Sequence, residues 1–428
     1  MDVLSPAGFV ASIRTCETGA GWRKRSPVHH ALIHELPFAL NPRALIKTRA
    51  YKPDTVRDSL RMNERPPARH RLPKITAFAV RAVRVPMKQP HRTASGSVTE
   101  SPLVLVDAIT DEGISGDGIV FTYTASALKP TAELIRNLAA SVEGEPLAPR
   151  EVADRFAARF RLLGMKGLVS MAVAGIDMAL WDALARTHDT SLVRLLGYVE
   201  KPIPAYGAVG YDGAVDAARC AEHRAKRGFK GIKVKIGYPT VSEDLAVVHA
   251  IRKAIGDDPA IMVDYNQSLT PALAVQRLRA LDDEGLTWIE EPVRADDYEG
   301  HALVAREIST PIQCGENWWG PHDMRQAIAA RASDYMMPDV MKIGGVTGWQ
   351  RAAALAEAHG IPLSNHLWPE LSAQLLCAAP TAHYLECADW WNPVVADPLR
   401  IEKGMTEVTG IAGSGVEWDE NAIARFAA

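Results

Sequence analysis

Two lysines stand two residues apart in GIKVKIG (231–237), inside a run that is otherwise apolar. Strand side chains alternate faces, so Lys233 and Lys235 share one face while Ile232, Val234 and Ile236 take the other. An amphipathic strand with a wet face explains that heptapeptide taken alone. The acidic residues that follow argue for more. Asp264 in MVDYNQ, Glu290 in WIEEP and Glu316 in GENWW recur at a spacing of 26 residues. Each by itself reads as a helix cap or a solvated loop end, but three at equivalent positions repel one another unless a cation or proton intervenes. With no Cys or His among them they suit a hard, oxygen-loving cation, Mg2+ first. Further on come Asp339 in MPDVMK, His366 in SNHLW and Glu386 in YLEC, with Asp339 suited to orient the His366 imidazole. Glu291, neighbour to Glu290, takes the opposite face and is expected to pair with a Lys or Arg. Two adjacent ammonium groups disfavour each other's charge, which predicts a depressed pKa and a usable base at Lys235.

Such groups act together only if the chain converges them. Strand-like runs occur at 205–212, 231–237, 260–267, 286–292, 310–319, 334–345, 361–368 and 382–391, with helical periodicity between them at 242–255, 272–285 and 348–360. That alternation predicts a parallel sheet, and eight strands close most economically as a TIM-type barrel. A doubly wound open sheet is the alternative, although the first strand-to-helix turn lacks GxGxxG. In a parallel barrel the chemistry sits at the C-terminal strand ends, where all of these ionisable residues fall. Ahead of the barrel, strands at 74–87 and 101–113 and helices at 126–142, 149–163 and 169–186 predict an α+β domain. The last of these helices is apolar nearly all round and should be buried between elements.

From about residue 73 to its end the chain resembles the enolase superfamily, mandelate racemase subgroup. The shared motifs are GFKGIKVKIGYP, MVDYNQSL, TWIEEP, GENWWGP, MPDVMKIGGVTGW, SNHLW and PTAHYLE. The resemblance implies a (β/α)7β barrel over 203–395, beneath an α+β capping domain formed by 73–202 and a returning segment, 396–428. It implies Mg2+ held by Asp264, Glu290 and Glu316, with Lys235 and His366 as bases and Asp339 as the partner of His366. It also implies a protonated Glu386 as hydrogen-bond donor, and Lys233 and Asn266 as substrate contacts. The implied reaction is α-proton abstraction from a 2-hydroxy carboxylate through an enediolate, giving racemisation or epimerisation. Acid-sugar dehydration uses the same parts, and both remain open; assembly as a homo-oligomer is implied as well. Specificity should lie in the loop PMKQPHRTASGSV (86–98) and in Tyr123. Lys88, Gln89, His91 and Arg92 stand where the family's mandelate-binding member is mainly apolar, and Ala208 where it has a serine. Turned inward, these residues would favour a polyhydroxy or dicarboxylate substrate.

The 428 residues, 47% hydrophobic and 23% charged, have room for two or three domains. A net charge of -3 offers no case for nucleic-acid or anionic-membrane binding. No apolar run approaches the roughly 20 residues of a spanning helix. Asp2 in place of a basic region argues against a secretory signal. Five cysteines, widely spaced and without CxxC, fit reduced thiols in a cytoplasmic protein. Residues 1–72 carry 13 Lys+Arg against 6 Asp+Glu, and read as a disordered extension or as an over-called start with Met62 as the first residue.

Overall fold

The computed structural model describes residues 71–93, 96–408 and 410–428. All but the last two residues of the basic segment 1–72 lie outside the described residues.

Three antiparallel strands, β1 (Ile75–Thr93), β2 (Gly96–Thr110) and β3 (Ser115–Phe121), form a meander in that order. The continuous apolar run Leu103–Val106 of β2 is buried on both faces, as a central strand covered by helices requires. β1 and β2 run further than the apolar pattern suggests. After a register shift they pair again from His91↔Val98 to Thr93↔Gly96, so the expected loop 86–98 is the arm of a hairpin. Helices α1 (Ala125–Ala139), α2 (Pro149–Arg159), α3 (Gly167–Thr187) and α4 (Leu192–Leu195) follow. By length and composition α3 could cross a membrane, contrary to the expectation that no run is long enough. However, 83% of its apolar window is buried, between β3 on one side and barrel helices on the other. Its approach to β3 is so close that a Cβ at Gly118 would lie 2.2 Å from the Gly175 carbonyl oxygen.

The chain then alternates: β4 (Ile203–Val209), α5 (Gly213–Lys226), β5 (Gly231–Lys235), α6 (Val241–Ile255), β6 (Ala260–Asp264), α7 (Pro271–Leu278), β7 (Trp288–Glu290), α8 (Tyr298–Glu307), β8 (Ile312–Cys314), α9 (Pro321–Ala330) and β9 (Tyr335–Met336). These strands pair in parallel, neighbour to neighbour. After α10 (Val340–Ile343), α11 (Gly345–His359) and α12 (Pro369–Cys377), β10 (Leu385–Cys387) pairs with β4 and closes the ring. The strand expected over 361–368 survives only as isolated bridges, Met336↔Leu363, Asp339↔His366 and Leu363↔Ala382. Pro338 and Pro362 have no amide hydrogen to give, so a continuous ladder cannot form there. The architecture is the expected (β/α)7β barrel with an N-terminal capping domain. Last come β11 (Ile401–Glu402), β12 (Met405–Thr406), which pairs with β4, and α13 (Glu420–Phe426); Ala427 bridges to Val83 of β1.

Inside the ring the side chains form two layers. Tyr206, Met262 and Trp288 fill the floor, with Tyr335 and Tyr384 packed against them. Above them the inward positions change from aromatic to charged. Ile232, Val234 and Ile236 point the other way, into the core beneath the helices, as alternation demands. Cys220, Cys314, Cys377 and Cys387 are free thiols.

Candidate active site

Successive strand ends from β5 onward deliver polar groups to the mouth of the barrel. β5 presents Lys233 and Lys235, β6 presents Asp264 and β7 presents Glu290, all buried, and their register pairs Lys235 with Asp264 and Asp264 with Glu290. Glu316 follows β8 through Gly315, at φ +144 and with Met337 backbone atoms 2.9 Å from where a Cβ would be, so only glycine fits. Asp264, Glu290 and Glu316 each bring one carboxylate oxygen to within 4.8 Å of the others. Lys233 Nζ donates to Glu290 Oε1 at 2.6 Å and approaches Glu386 Oε1 at 2.7 Å, and Lys235 Nζ donates to Asp264 Oδ2. Asp339 caps α10, accepting from Met341 N at 2.7 Å through Oδ1, while its Oδ2 lies 2.8 Å from His366 Nδ1. His366 Nε2 thereby faces the mouth, 3.3 Å from Glu316 Oε2. Backbone strain gathers here: Tyr123, Asn266, Gln267, Glu291, Leu367 and Trp368 all have positive φ.

Six carboxyl groups (Asp264, Glu290, Glu291, Glu316, Asp339, Glu386) meet only three ammonium groups (Lys233, Lys235, Lys342) in this buried volume. Burial, reinforced by Asp264, Glu316 and Glu386, pushes Glu290 well above the usual carboxylate range despite Lys233. Burial raises Glu291 to about 8, with Glu316 and Asp264 adding to the rise. Glu316 goes the other way, because His366 and the lysines outweigh its burial. Buried oxygens Glu316 Oε2, Glu291 Oε1 and Asn266 Oδ1 have no hydrogen-bond partner. A surplus of buried oxygen acceptors, three of them convergent, is what a divalent hard cation satisfies, so the residues present fit Mg2+.

Several expectations need correction. Lys235 is raised rather than depressed: burial lowers it and Lys233 lowers it further, but Asp264 in direct contact, together with Glu316 and Glu290, outweighs them. Glu386 is held below its usual range, since Lys233 and His366 overcome its burial; with Leu367 N donating to it at 3.0 Å it is ionised rather than a donor. Glu291 meets no Lys or Arg directly; its partner is Asn317, whose Nδ2 donates to Oε2 at 2.8 Å. Asn266 lies beyond the end of β6, in a turn, yet its backbone N still donates to Asp264 Oδ1 at 2.7 Å.

The cap closes the mouth. Tyr123, just past β3, keeps 39% of its surface exposed, although packing around its hydroxyl and the field of Asp339, Glu316 and Glu386 push its pKa well above the usual phenol value. Among the described residues of the hairpin arm only His91 is buried. It packs on Trp390 at 4.7 Å between ring centroids, and burial with Lys235 nearby lowers it to about 3, so it is neutral. Lys88, Gln89 and Arg92 remain exposed, and Arg92 lies 3.3 Å from Asp212. A cavity of about 790 Å3, lined among others by Lys88, His91, Ala208, His223 and Trp390, separates the arm from α5. Sequence reasoning missed Gln313, inward on β8, and the pair Asn317 and Lys342. The one signal for Lys342 is its place three residues after Asp339, one helical turn on.

Two family models match the chain: Mandelate racemase / muconate lactonizing enzyme, N-terminal domain, over 74–197, and Enolase C-terminal domain-like, over 216–422. Among solved structures, a Bradyrhizobium protein described as an enolase and complexed with magnesium and mandelic acid is 44% identical; it superposes with a TM-score of 0.81 over 83% of this chain and 99% of its own. The L-talarate/galactarate dehydratase of Salmonella typhimurium is 29% identical over 76% of this chain and 82% of its own. The D-galactarolactone cycloisomerase of Agrobacterium fabrum is 30% identical over 82% and 98%.

Proposed function

The chain belongs to the enolase superfamily, in its mandelate racemase / muconate lactonizing enzyme family, and from that premise we propose that it abstracts the α-proton of a 2-hydroxy carboxylate with Mg2+ as cofactor, giving racemisation or epimerisation. The observation that carries this reading is the convergence of three carboxylate oxygens within 4.8 Å, flanked by Lys235 on β5 and by the Asp339–His366 pair across the mouth. Asp264, Glu290 and Glu316 would hold the ion. A bound Mg2+ supplies the positive charge that a developing enediolate needs. Lys233 keeps its proton, since Glu290 and Glu386 outweigh the cost of its burial, and so carries the substrate carboxylate. Lys235 acts as base once it releases Asp264. Asp339, accepting from His366 Nδ1, leaves Nε2 to take or return the proton from its own side. Tyr123 and His91 border the substrate from the cap, and Asn266 from the turn after β6. The same reading divides the chain into a cap (73–202), a barrel (203–395) and a segment (396–428) that returns to the cap, supported by the Val83↔Ala427 bridge and the 2.6 Å Arg81–Glu420 pair.

Dehydration is the second reading, favoured by His91: a buried polar side chain at the mouth suits a hydroxylated substrate better than an aryl one. In D2O, mandelate and a panel of mono- and diacid sugars separate the two. Racemisation exchanges the α-hydrogen and leaves no 2-keto product, whereas dehydration yields a 2-keto-3-deoxy acid. Lys235→Ala should slow exchange from one enantiomer by roughly 10^2 to 10^4-fold, while exchange from the other persists through His366. If both enantiomers still racemise, the two-base assignment is wrong.

A further inference from the structure

Lys342 is a buried cation, 4% exposed, whose ammonium donates to a neutral amide rather than to a carboxylate. Burying an ammonium without a direct counter-ion is unfavourable unless other contacts compensate. Three features do. Its Nζ donates to Asn317 Oδ1 at 2.7 Å. It stands 4.5 Å from the ring centroid of Tyr123 and 5.9 Å from that of Trp319, within cation–π range of both. It also lies in the negative field of Glu316 and Glu291.

The amide between them matters because a lysine can only donate. With Oδ1 committed to Lys342, the Asn317 Nδ2 must face the carboxylates, donating to Glu291 Oε2 at 2.8 Å and to Glu316 Oε1 at 3.1 Å. A flipped amide would aim a carbonyl oxygen at both of them. Held through Oε1, Glu316 leaves Oε2 without a hydrogen bond, 3.3 Å from His366 Nε2, and brings a carboxylate oxygen within 4.8 Å of those of Asp264 and Glu290. The backbone of Lys342 is tied to the cap as well, its carbonyl accepting from Ser170 Oγ of α3 at 3.3 Å.

We propose that Lys342 is a positioning residue that joins the cap to the metal site: it orients Asn317 so that Glu316 is aimed at the ion, and with the same charge it anchors the Tyr123 ring over the mouth. This rests on the metal assignment above. Calorimetric titration with Mg2+, alongside kcat and KM, tests it on the wild-type chain, Lys342→Met, Lys342→Arg and Asn317→Ala. Lys342→Met should weaken Mg2+ binding about 10- to 100-fold, the range seen when groups behind a ligand are lost, and should raise KM. Lys342→Arg should recover part of both, because a guanidinium can donate to Asn317 and lie on an aromatic face. Asn317→Ala should weaken Mg2+ binding with a smaller change in KM, since the contact with Tyr123 remains. Wild-type Mg2+ affinity and kinetics in Lys342→Met overturn the proposal, and if that variant does not fold, wild-type Mg2+ affinity in Asn317→Ala does so. A wild-type chain that binds no Mg2+ overturns the metal assignment itself, a different failure from equal binding across the series.

Discussion

In the cap, Asp182 is fully buried and uses both its oxygens: Oδ2 accepts from Asp117 N at 2.8 Å and meets Arg186 Nε at 2.7 Å, and Oδ1 accepts from Ser414 N. Asp177 likewise accepts from Thr347 N at 2.9 Å and Thr347 Oγ1 at 2.6 Å. In the barrel mouth, Glu316 Oε2 and Glu291 Oε1 are buried without a hydrogen-bond donor, and Asp264, Glu290 and Glu316 crowd carboxylate oxygens within 4.8 Å of one another. Burial of an acid is therefore no sign of function by itself. The cap satisfies its acids with hydrogen bonds that tie α3 to β3, α11 and the C-terminal segment, whereas the barrel holds a surplus of buried acids that a bound cation or a proton must balance.

That contrast can be broken by experiment. The largest effect should come from Glu316→Gln, which ought to weaken Mg2+ binding by at least about 100-fold, beyond the range for groups behind a ligand, while leaving the thermal midpoint nearly unchanged or higher as repulsion is relieved. An unchanged Mg2+ affinity would remove Glu316 from the ligand set. Next, Asp182→Ala should cost about 1–3 kcal/mol of stability by leaving the backbone N–H groups of Asp117 and Ser414 without their acceptor and half-buried Arg186 with Asp117 alone, with Mg2+ affinity per folded molecule as in the wild type. A loss of metal affinity there would mean that the two regions are not independent. The smallest effect concerns pH. Burial, with Asp182 and Asp107 adding negative charge, raises Asp117 from 3.8 to about 7. The folded cap thus binds a proton that the unfolded chain has released between those values, and stability should fall as pH climbs from about 4 to 7. Asp117→Asn should flatten that slope in urea titrations at pH 5 and 7.5, and a slope as steep as the wild type's would assign it to other groups.

Much of the site was legible because a parallel barrel maps sequence to space simply. One βα unit advances the chain one strand, so a carboxylate every 26 residues becomes three adjacent strand ends. The period-two rule placed Lys233 and Lys235 on one face without further help. What stayed hidden depends on neighbours distant in sequence. Glu291 appeared destined for a cation, but a positive φ at that residue turns it toward Asn317. Lys88 and Arg92 looked available for a substrate, yet both stay exposed, Lys88 in the unpaired stretch before His91 and Arg92 beside Asp212, and of the arm's described residues His91 alone is buried.

By itself, then, the order of residues determined the barrel, its cap and which acids, lysines and histidine meet at its mouth, since alternation and spacing are local properties repeated along the chain. Only the tertiary structure decided the charge states of Lys235 and Glu386 and the place of Lys342. Those follow from distances between side chains brought together by ring closure and by the cap, and in a buried volume a few ångströms decide which of two opposite charges prevails.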